Sequence, residues 1–65
     1  MSYFKLVYQD KYGEEITENV YQDGEYAIKL ATNYCKNYKI NVEIWHYPDY
    51  EKPIKLSTFI HNKNK

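Results

Sequence analysis

Residues 23–38, DGEYAIKLATNYCKNY, decide the fold because they contain the chain's one helical pattern. At about 100° per residue, one side of this segment collects the apolar residues and the other side the polar ones. The apolar side holds Ala27, Ile28, Leu30, Ala31, Tyr34, Cys35 and Tyr38. Asp23 can cap the first turn, since its carboxylate can accept hydrogen bonds from free backbone amides. The pattern predicts one amphipathic helix that ends near Lys39 and packs against a sheet.

Two pairs of predicted strands flank this helix. Alternating apolar and polar side chains predict them over residues 3–9, 16–21, 40–47 and 54–60. Gly13 permits the positive φ of a hairpin loop in the first pair, and Pro48 and Pro53 bound the turn in the second. One helix can cover only one sheet face, so the order ββαββ predicts a two-layer α+β domain. The helical crossover favours strands 1 and 4 as central neighbours, which gives a four-stranded mixed sheet in the order 2-1-4-3.

Length and composition restrict the function more than any motif does. Sixty-five residues make a single domain, predicted over residues 1–61, followed by a polar tail over 62–65 that is expected to fray. The one cysteine, Cys35, excludes an internal disulfide and suits a reducing compartment. No stretch resembles a signal peptide or a membrane span, so we expect no membrane partner and a cytoplasmic location. Lysine, asparagine, tyrosine and isoleucine dominate, which is typical of AT-rich coding in a low-GC bacterium or its phage.

The formal charge is zero, but the two halves of the chain differ. Two lysines and six carboxylates give residues 1–25 a charge of −4, whereas residues 26–65 carry seven lysines, three carboxylates and a charge of +4. Arginine, the preferred bidentate reader of phosphate, is absent, so nucleic acid is not the expected partner. The first hairpin is acidic through Glu14, Glu15 and Glu18. These carboxylates form either a contact that mimics a phosphate backbone or, as we favour, a charged edge strand that resists aggregation.

The predicted sheet face opposite the helix carries the candidate binding residues. Nine tyrosines, one tryptophan and two phenylalanines are more aromatic surface than so small a core can hide. Alternation along the strands assigns to this face Tyr3, Val7, Tyr21, Trp45, Tyr47, Lys55 and Phe59. Tryptophan and tyrosine are enriched in binding hot spots, and clustered exposed apolar side chains mark interfaces. We therefore expect a non-enzymatic module that binds another protein, or a second copy of itself, through this face.

Two alternatives to that function stay open. In one, the rings pack across strands and only stiffen the sheet, or the chain is a homodimer with a purely structural role. In the other, lysines and rings form a platform on which single-stranded nucleic acid stacks its bases.

The sequence does not place catalytic or metal-binding residues together. Cys35, His46 and His61 are scattered along the chain, whereas a metal site needs three or four convergent ligands. Cys35 also has no adjacent base that could activate it as a nucleophile. We therefore expect no enzymatic activity, no metal and no cofactor.

Three short stretches give the chain a family resemblance. They are YFKLV at residues 3–7, the helix over 27–34, and WHYPD at 45–49. With the order and length of the elements across residues 2–60, they resemble the immunoglobulin-binding domain of streptococcal protein G, which has a β-grasp-like ββαββ fold. The chain's small size, AT-rich usage and acidic hairpin also resemble phage- or mobile-element-encoded inhibitors of host or defence enzymes, anti-CRISPR proteins included.

The resemblance to protein G implies a contact with antibody Fc. In that family a third-strand tryptophan and charged helix residues grip Fc, and Trp45 and Lys29 match two of these positions. Ile28 and Thr32 stand where the family has a helix glutamate and a second lysine, and one extra residue lies between helix and strand. The resemblance therefore supports the fold more than it supports Fc binding.

Overall fold

Four strands and one helix follow one another in the order ββαββ in the computed structural model, which describes residues 2–61. The elements are β1 (Tyr3–Gln9), β2 (Glu15–Val20), α1 (Gly24–Tyr38), β3 (Val42–Tyr47) and β4 (Ile54–Phe59). The helix packs on one face of the sheet, against β1, β3 and β4. The predicted α+β class with one helix on a four-stranded sheet is therefore confirmed. The predicted frayed tail, 62–65, lies outside the described residues.

The strand order is β2-β1-β3-β4, and every neighbouring pair is antiparallel. The predicted mixed sheet in the order 2-1-4-3 is therefore wrong: β3, not β4, lies beside β1. Leu6 of β1 pairs with Ile44 of β3, and these side chains are 0% and 1% exposed. Burial explains the order, because the two strands with the most apolar side chains take the central positions beneath the helix. The more polar β2 and β4 form the edges.

Local interactions set both ends of α1. The Asp23 carboxylate accepts a hydrogen bond from the Tyr26 amide at 2.9 Å, which confirms the predicted cap. Lys39 adopts a left-handed conformation with φ 56°, a common way for a helix to terminate. The helix therefore ends where the sequence predicts.

The turn between β1 and β2 is held by a second aspartate. One carboxylate oxygen of Asp10 accepts hydrogen bonds from the amides of Tyr12 and Glu14, both at 2.9 Å. Gly13 takes φ 82°, a conformation that a side chain would disfavour. These contacts close the first hairpin where the sequence predicts it.

The core lies between α1 and the sheet, mainly at the two central strands. Its fully buried residues are Leu6, Val20, Ala27, Ala31, Val42 and Ile44. The two alanines let the helix approach the sheet closely, and a Cβ at Gly24 would lie only 3.2 Å from Cζ of Phe4. The predicted apolar side of the helix is wider than the buried one, because Ile28 and Tyr38 are 50% and 67% exposed.

A bulge changes which face the β4 side chains occupy. Two consecutive β3 residues, Ile44 and Trp45, oppose residues 55–57 of β4, so Leu56 is an extra residue in the ladder. Beyond the bulge the alternation is reversed, and Phe59 packs against the core on the helix side. The predicted placement of Phe59 on the opposite face is therefore wrong. A strict period of two cannot anticipate one inserted residue.

Leu6 and Leu56 offer a matched test of this core. Leu6→Ala is expected to lower the free energy of unfolding by about 2–5 kcal/mol, because it empties a buried site. Leu56 is 51% exposed, so Leu56→Ala should change that free energy by only about 0.5 kcal/mol. Urea unfolding of both variants, followed by circular dichroism, measures the difference. Equal decreases in the free energy of unfolding for the two variants would contradict the burial of Leu6 in the core.

Candidate binding face of the sheet

Three tyrosines form a row across the sheet face opposite α1. Tyr3 of β1 lies between Tyr47 of β3 and Tyr21, which directly follows β2. The Tyr3 and Tyr47 ring centroids are 5.2 Å apart with planes inclined by 10°, and those of Tyr3 and Tyr21 are 5.5 Å apart at 44°. The Asn19 amide donates to the Tyr21 hydroxyl at 3.1 Å. We call Tyr3, Tyr21 and Tyr47 the tyrosine row.

Charged side chains beside the tyrosine row are held in place by their neighbours. The Lys5 ammonium lies 4.6 Å from the centroid of the Tyr47 ring, within range of a cation–π contact. Trp45 Nε1 donates to Glu43 Oε1 at 2.9 Å, and Lys55 Nζ lies 3.5 Å from Glu43 Oε2. These contacts join β1, β3 and β4 across the same face.

Glu43 is the one carboxylate at the centre of these contacts, and its pKa is lowered. The hydrogen bond from Trp45 is the largest cause, since it stabilises the ionised carboxylate. Burial acts in the opposite direction, and the Lys55 ammonium adds to the lowering. Trp45 and Lys55 therefore keep Glu43 charged, and Glu43 in turn orients the indole ring.

Six of the seven predicted binding residues lie on this face. They are Tyr3, Val7, Tyr21, Trp45, Tyr47 and Lys55. The seventh, Phe59, is on the helix side because of the bulge in β4. Lys5 and Glu43 also lie on this face, where the alternation of the strands predicts them, although neither belongs to the predicted binding residues.

The exposure of these side chains is uneven. Tyr21 is 64% exposed, whereas Tyr3, Trp45 and Tyr47 are half-buried. The Tyr3 and Tyr47 rings cover each other. Cross-strand ring contacts of this kind stabilise a sheet by roughly 0.2–1 kcal/mol per pair. They also order the side chains before any partner arrives.

The predicted acidic contact is divided between two faces. Glu14 and Glu15 are exposed. Glu18, in contrast, shares the helix side of β2 with Ile16 and Val20, as the even-numbered positions require. The Tyr34 hydroxyl of α1 donates to the Glu18 carboxylate, whose two oxygens lie 2.9 Å and 3.1 Å away. Glu18 therefore ties the edge strand to the helix, and an acidic contact formed by these carboxylates stays a prediction.

Two further tyrosines surround the hydrogen bond between Tyr34 and Glu18. The Tyr34 ring centroid lies 5.5 Å from that of Tyr8 and 5.7 Å from that of Tyr38. Burial is the main cause that raises the pKa of Tyr34 to about 12, and the hydrogen bond and charge of Glu18 add to it. Burial and the Glu18 charge also raise the pKa of Tyr8. These surroundings stabilise the protonated phenols of Tyr34 and Tyr8.

The histidines and the cysteine are apart from this face. The His46 ring stacks on Phe4 with centroids 4.8 Å apart, on the helix side of the sheet. The His61 amide donates to the Asn41 side chain at 2.8 Å. Within residues 2–61 no group of three or more histidine, cysteine, aspartate or glutamate side chains could hold a metal ion. Over the same residues, no helix has the length and apolar character needed to cross a membrane.

Comparisons of the chain with protein-family models, with curated proteins and with solved structures found no match. The two positions that would serve an Fc contact lie on different layers: Trp45 on the sheet face opposite α1, and Lys29 on the exposed side of α1. Because these layers point in opposite directions, one flat partner surface would not contact both side chains. Any function therefore has to be inferred from the chain's own side chains.

The Trp45–Glu43 hydrogen bond can be tested by titration. A lowered pKa means that Glu43 stabilises the fold above its unfolded pKa and loses that contribution as the pH falls through its folded pKa. Trp45→Phe keeps a ring but removes the donor, so it should raise the pKa of Glu43 towards its ordinary value. Carbon-13 NMR of the carboxyl groups measures this. Lys55→Met removes the ammonium and should also raise the pKa; an unchanged pKa in Trp45→Phe would refute the contact.

The Tyr34–Glu18 hydrogen bond makes a prediction at alkaline pH. Because the folded pKa of Tyr34, about 12, lies above the ordinary value of 10.0, its stabilising contribution is complete below about pH 10. It is lost as the pH rises from about 10 to about 12. The free energy of unfolding of Tyr34→Phe should therefore fall less over this range than that of the unaltered chain. Tyr50→Phe, at a side chain 99% exposed, should behave like the unaltered chain. Parallel curves for all three would contradict the assignment.

Proposed function

We propose that this chain is a non-enzymatic binding module that docks another protein on the face formed by the tyrosine row and Trp45, which we call the aromatic face. The observation that carries the proposal is the collection of four aromatic side chains on adjacent strands, on the sheet face that α1 does not cover. Tyrosine and tryptophan provide large contact areas and are the residues most enriched in binding hot spots.

Order within this face favours binding. The Tyr3 ring touches rings on both sides, and the Trp45 indole is hydrogen-bonded to Glu43. A partner therefore does not have to immobilise free side chains, which would otherwise weaken binding by roughly 0.5–1.5 kcal/mol for each of them.

Charge within this face favours a partner with an apolar centre. The Lys55 ammonium is paired with Glu43, and the Lys5 ammonium lies over the Tyr47 ring. Neither lysine requires a carboxylate from the partner. A surface of this kind suits a protein interface with an apolar centre and a polar rim.

Single-stranded nucleic acid fits this face less well. Bases stack on free ring faces, but Tyr3 has ring neighbours on both sides and Tyr47 contacts both Tyr3 and Lys5. A nucleic-acid platform also needs a positively charged groove, whereas Lys55 is neutralised by Glu43. The alternative remains testable with a fluorescent deoxythymidine oligonucleotide, because counterion release makes such binding fall steeply with salt.

The finer part of the proposal concerns the partner. A chain this small, with exposed Glu14 and Glu15 on one hairpin and AT-rich residue usage, suits an inhibitor of a host or defence enzyme in a low-GC bacterium. These carboxylates lie at the opposite end of β1 from Tyr3, so they would add a charged contact separate from the aromatic face. Proteins that the immobilised chain captures from a low-GC bacterial lysate can be identified by mass spectrometry to find that enzyme.

Substitutions within the face test the proposal. Trp45→Ala and Tyr47→Ala should each weaken binding to the captured protein by about 2 kcal/mol, close to 30-fold, if these rings anchor the interface. Tyr50→Ala removes a ring of the same size from a side chain that is 99% exposed, and it should leave the affinity unchanged. Calorimetric titration measures the affinities, and circular dichroism verifies that each variant folds. Retention of full affinity by both Trp45→Ala and Tyr47→Ala would refute the proposal.

A further inference from the structure

A second surface lies at the edge of the sheet formed by β4. Within residues 2–61, β4 pairs with β3 on one side, so backbone N–H and C=O groups point outward on the other. Its apolar side chains are poorly covered: Ile54 and Leu56 are 48% and 51% exposed, and Ile60, directly after the strand, is 71% exposed. We call residues 54–60 the β4 edge.

The opposite edge of the sheet carries charges that the β4 edge lacks. Glu15 is exposed on β2, and Glu14 precedes it. Like charges on an edge strand discourage its pairing with another copy. The β4 edge contains no acidic residue, and its one lysine, Lys55, lies 3.5 Å from Glu43 of the same chain. Charge repulsion therefore protects β2 and leaves β4 open to pairing.

The helix adds an apolar side chain on the β4 side. Tyr34 points towards β2, where it donates to Glu18. Ile28 is displaced from Tyr34 by about 120° around the helix, on the other side of the buried Ala27 and Ala31. Ile28 is half-exposed, so it extends the apolar surface of the β4 edge towards the helix layer.

We propose that the β4 edge pairs with the β4 edge of a second copy of this chain. Antiparallel pairing of two identical edges follows a two-fold axis perpendicular to the sheet, which joins the two sheets into one of eight strands. The two helices then lie on the same face of the joined sheet, with Ile28 of each beside the seam. The aromatic face stays uncovered on the other side.

The charges of the two edges favour this symmetric pairing over a head-to-tail one. Pairing of β4 with the β2 edge would set the apolar Leu56 and Ile60 against a strand that is polar and acidic, and it would repeat without closing. Pairing of β4 with β4 matches apolar side chains to apolar side chains and brings no carboxylates together. The Lys55 charge is already compensated within each copy.

The size of the contact sets its strength. An edge of this length spans about 20 Å, and the smallest dimension of the domain is 15 Å. The buried surface is therefore on the order of 600 Å² for both copies together, below the roughly 1,200 Å² of stable specific interfaces. The bulge at Leu56 also interrupts the hydrogen-bonding edge. The dimer is consequently weak and forms only at high protein concentration.

Sedimentation equilibrium over a range from about 10 μM to about 1 mM tests this inference, since a weak dimer dissociates in the micromolar range or above. The unaltered chain should move from its 7.9 kDa monomer mass towards twice that value. Leu56→Lys should raise the concentration needed for dimerisation at least tenfold, because the two-fold axis brings two ammonium groups to the seam. Ile60→Lys, at a second exposed position, should do the same.

Two control variants make the test specific. Tyr50→Lys introduces the same charge at a fully exposed side chain outside the β4 edge, in the turn that precedes it, and it should dimerise as the unaltered chain does. Trp45→Ala should also dimerise normally, because the aromatic face is not part of the seam. Circular dichroism establishes that Leu56→Lys and Ile60→Lys remain folded.

Four results would overturn the inference. They are a monomer at every concentration, equal loss of dimer in Tyr50→Lys, loss of dimer in Trp45→Ala with retention in Leu56→Lys, and continuous growth beyond a dimer. The last would indicate head-to-tail assembly. The loss of dimer in Trp45→Ala would place self-association on the aromatic face, whereas the other three results do not bear on capture of a different protein by that face. Failure of the β4 pairing can therefore be told apart from failure of the proposed function.

Discussion

In the described chain, one helix packs against a sheet of four strands and is too narrow to bury all of them. The arrangement of the sheet follows from this limited burial. The helix reaches the centre of the sheet, where Leu6, Val42 and Ile44 are almost completely buried. Ala27 and Ala31 allow close packing there, and burial of each large aliphatic side chain contributes roughly 1.5–3 kcal/mol. The two edge strands and the aromatic face are not buried by the helix, so other interactions stabilise them.

The two edges do this differently. At β2 a hydrogen bond between Glu18 and Tyr34 ties the edge to the helix, and exposed carboxylates keep other strands away. A partly buried carboxylate needs such a donor, since without one its desolvation would destabilise the fold. At β4 the apolar side chains are only half covered and the ladder contains a bulge. Self-association through that edge would supply the cover that the helix does not.

The aromatic face is stabilised by contacts among its own side chains. The tyrosine row, the Lys5–Tyr47 contact and the Trp45–Glu43–Lys55 contacts link neighbouring strands without a second layer. Contacts that stiffen a sheet and contacts that prepare a binding surface are physically the same, because both order large side chains in advance. A structural role and a binding role for these rings are therefore compatible.

Patterns between near neighbours in the sequence determined much of this protein. The Asp23 cap, the extent of α1, the Gly13 turn and the order of elements all depend on contacts a few residues apart, and the sequence predicts each of them. The same is true of the side chains that alternate along β1 and β3, including the placement of Trp45 and Tyr47 on the aromatic face.

Only the tertiary structure decided which strands are neighbours and where the ladder is interrupted. The pairing of β1 with β3, the inserted Leu56 that moved Phe59 to the helix side, and the Tyr34 partner of Glu18 all join residues far apart in the chain. Periodicity reports which side chains share a face of one strand, but it carries no information about the strand beside it. That choice depends on the total burial under the helix, which exists only once the chain has folded.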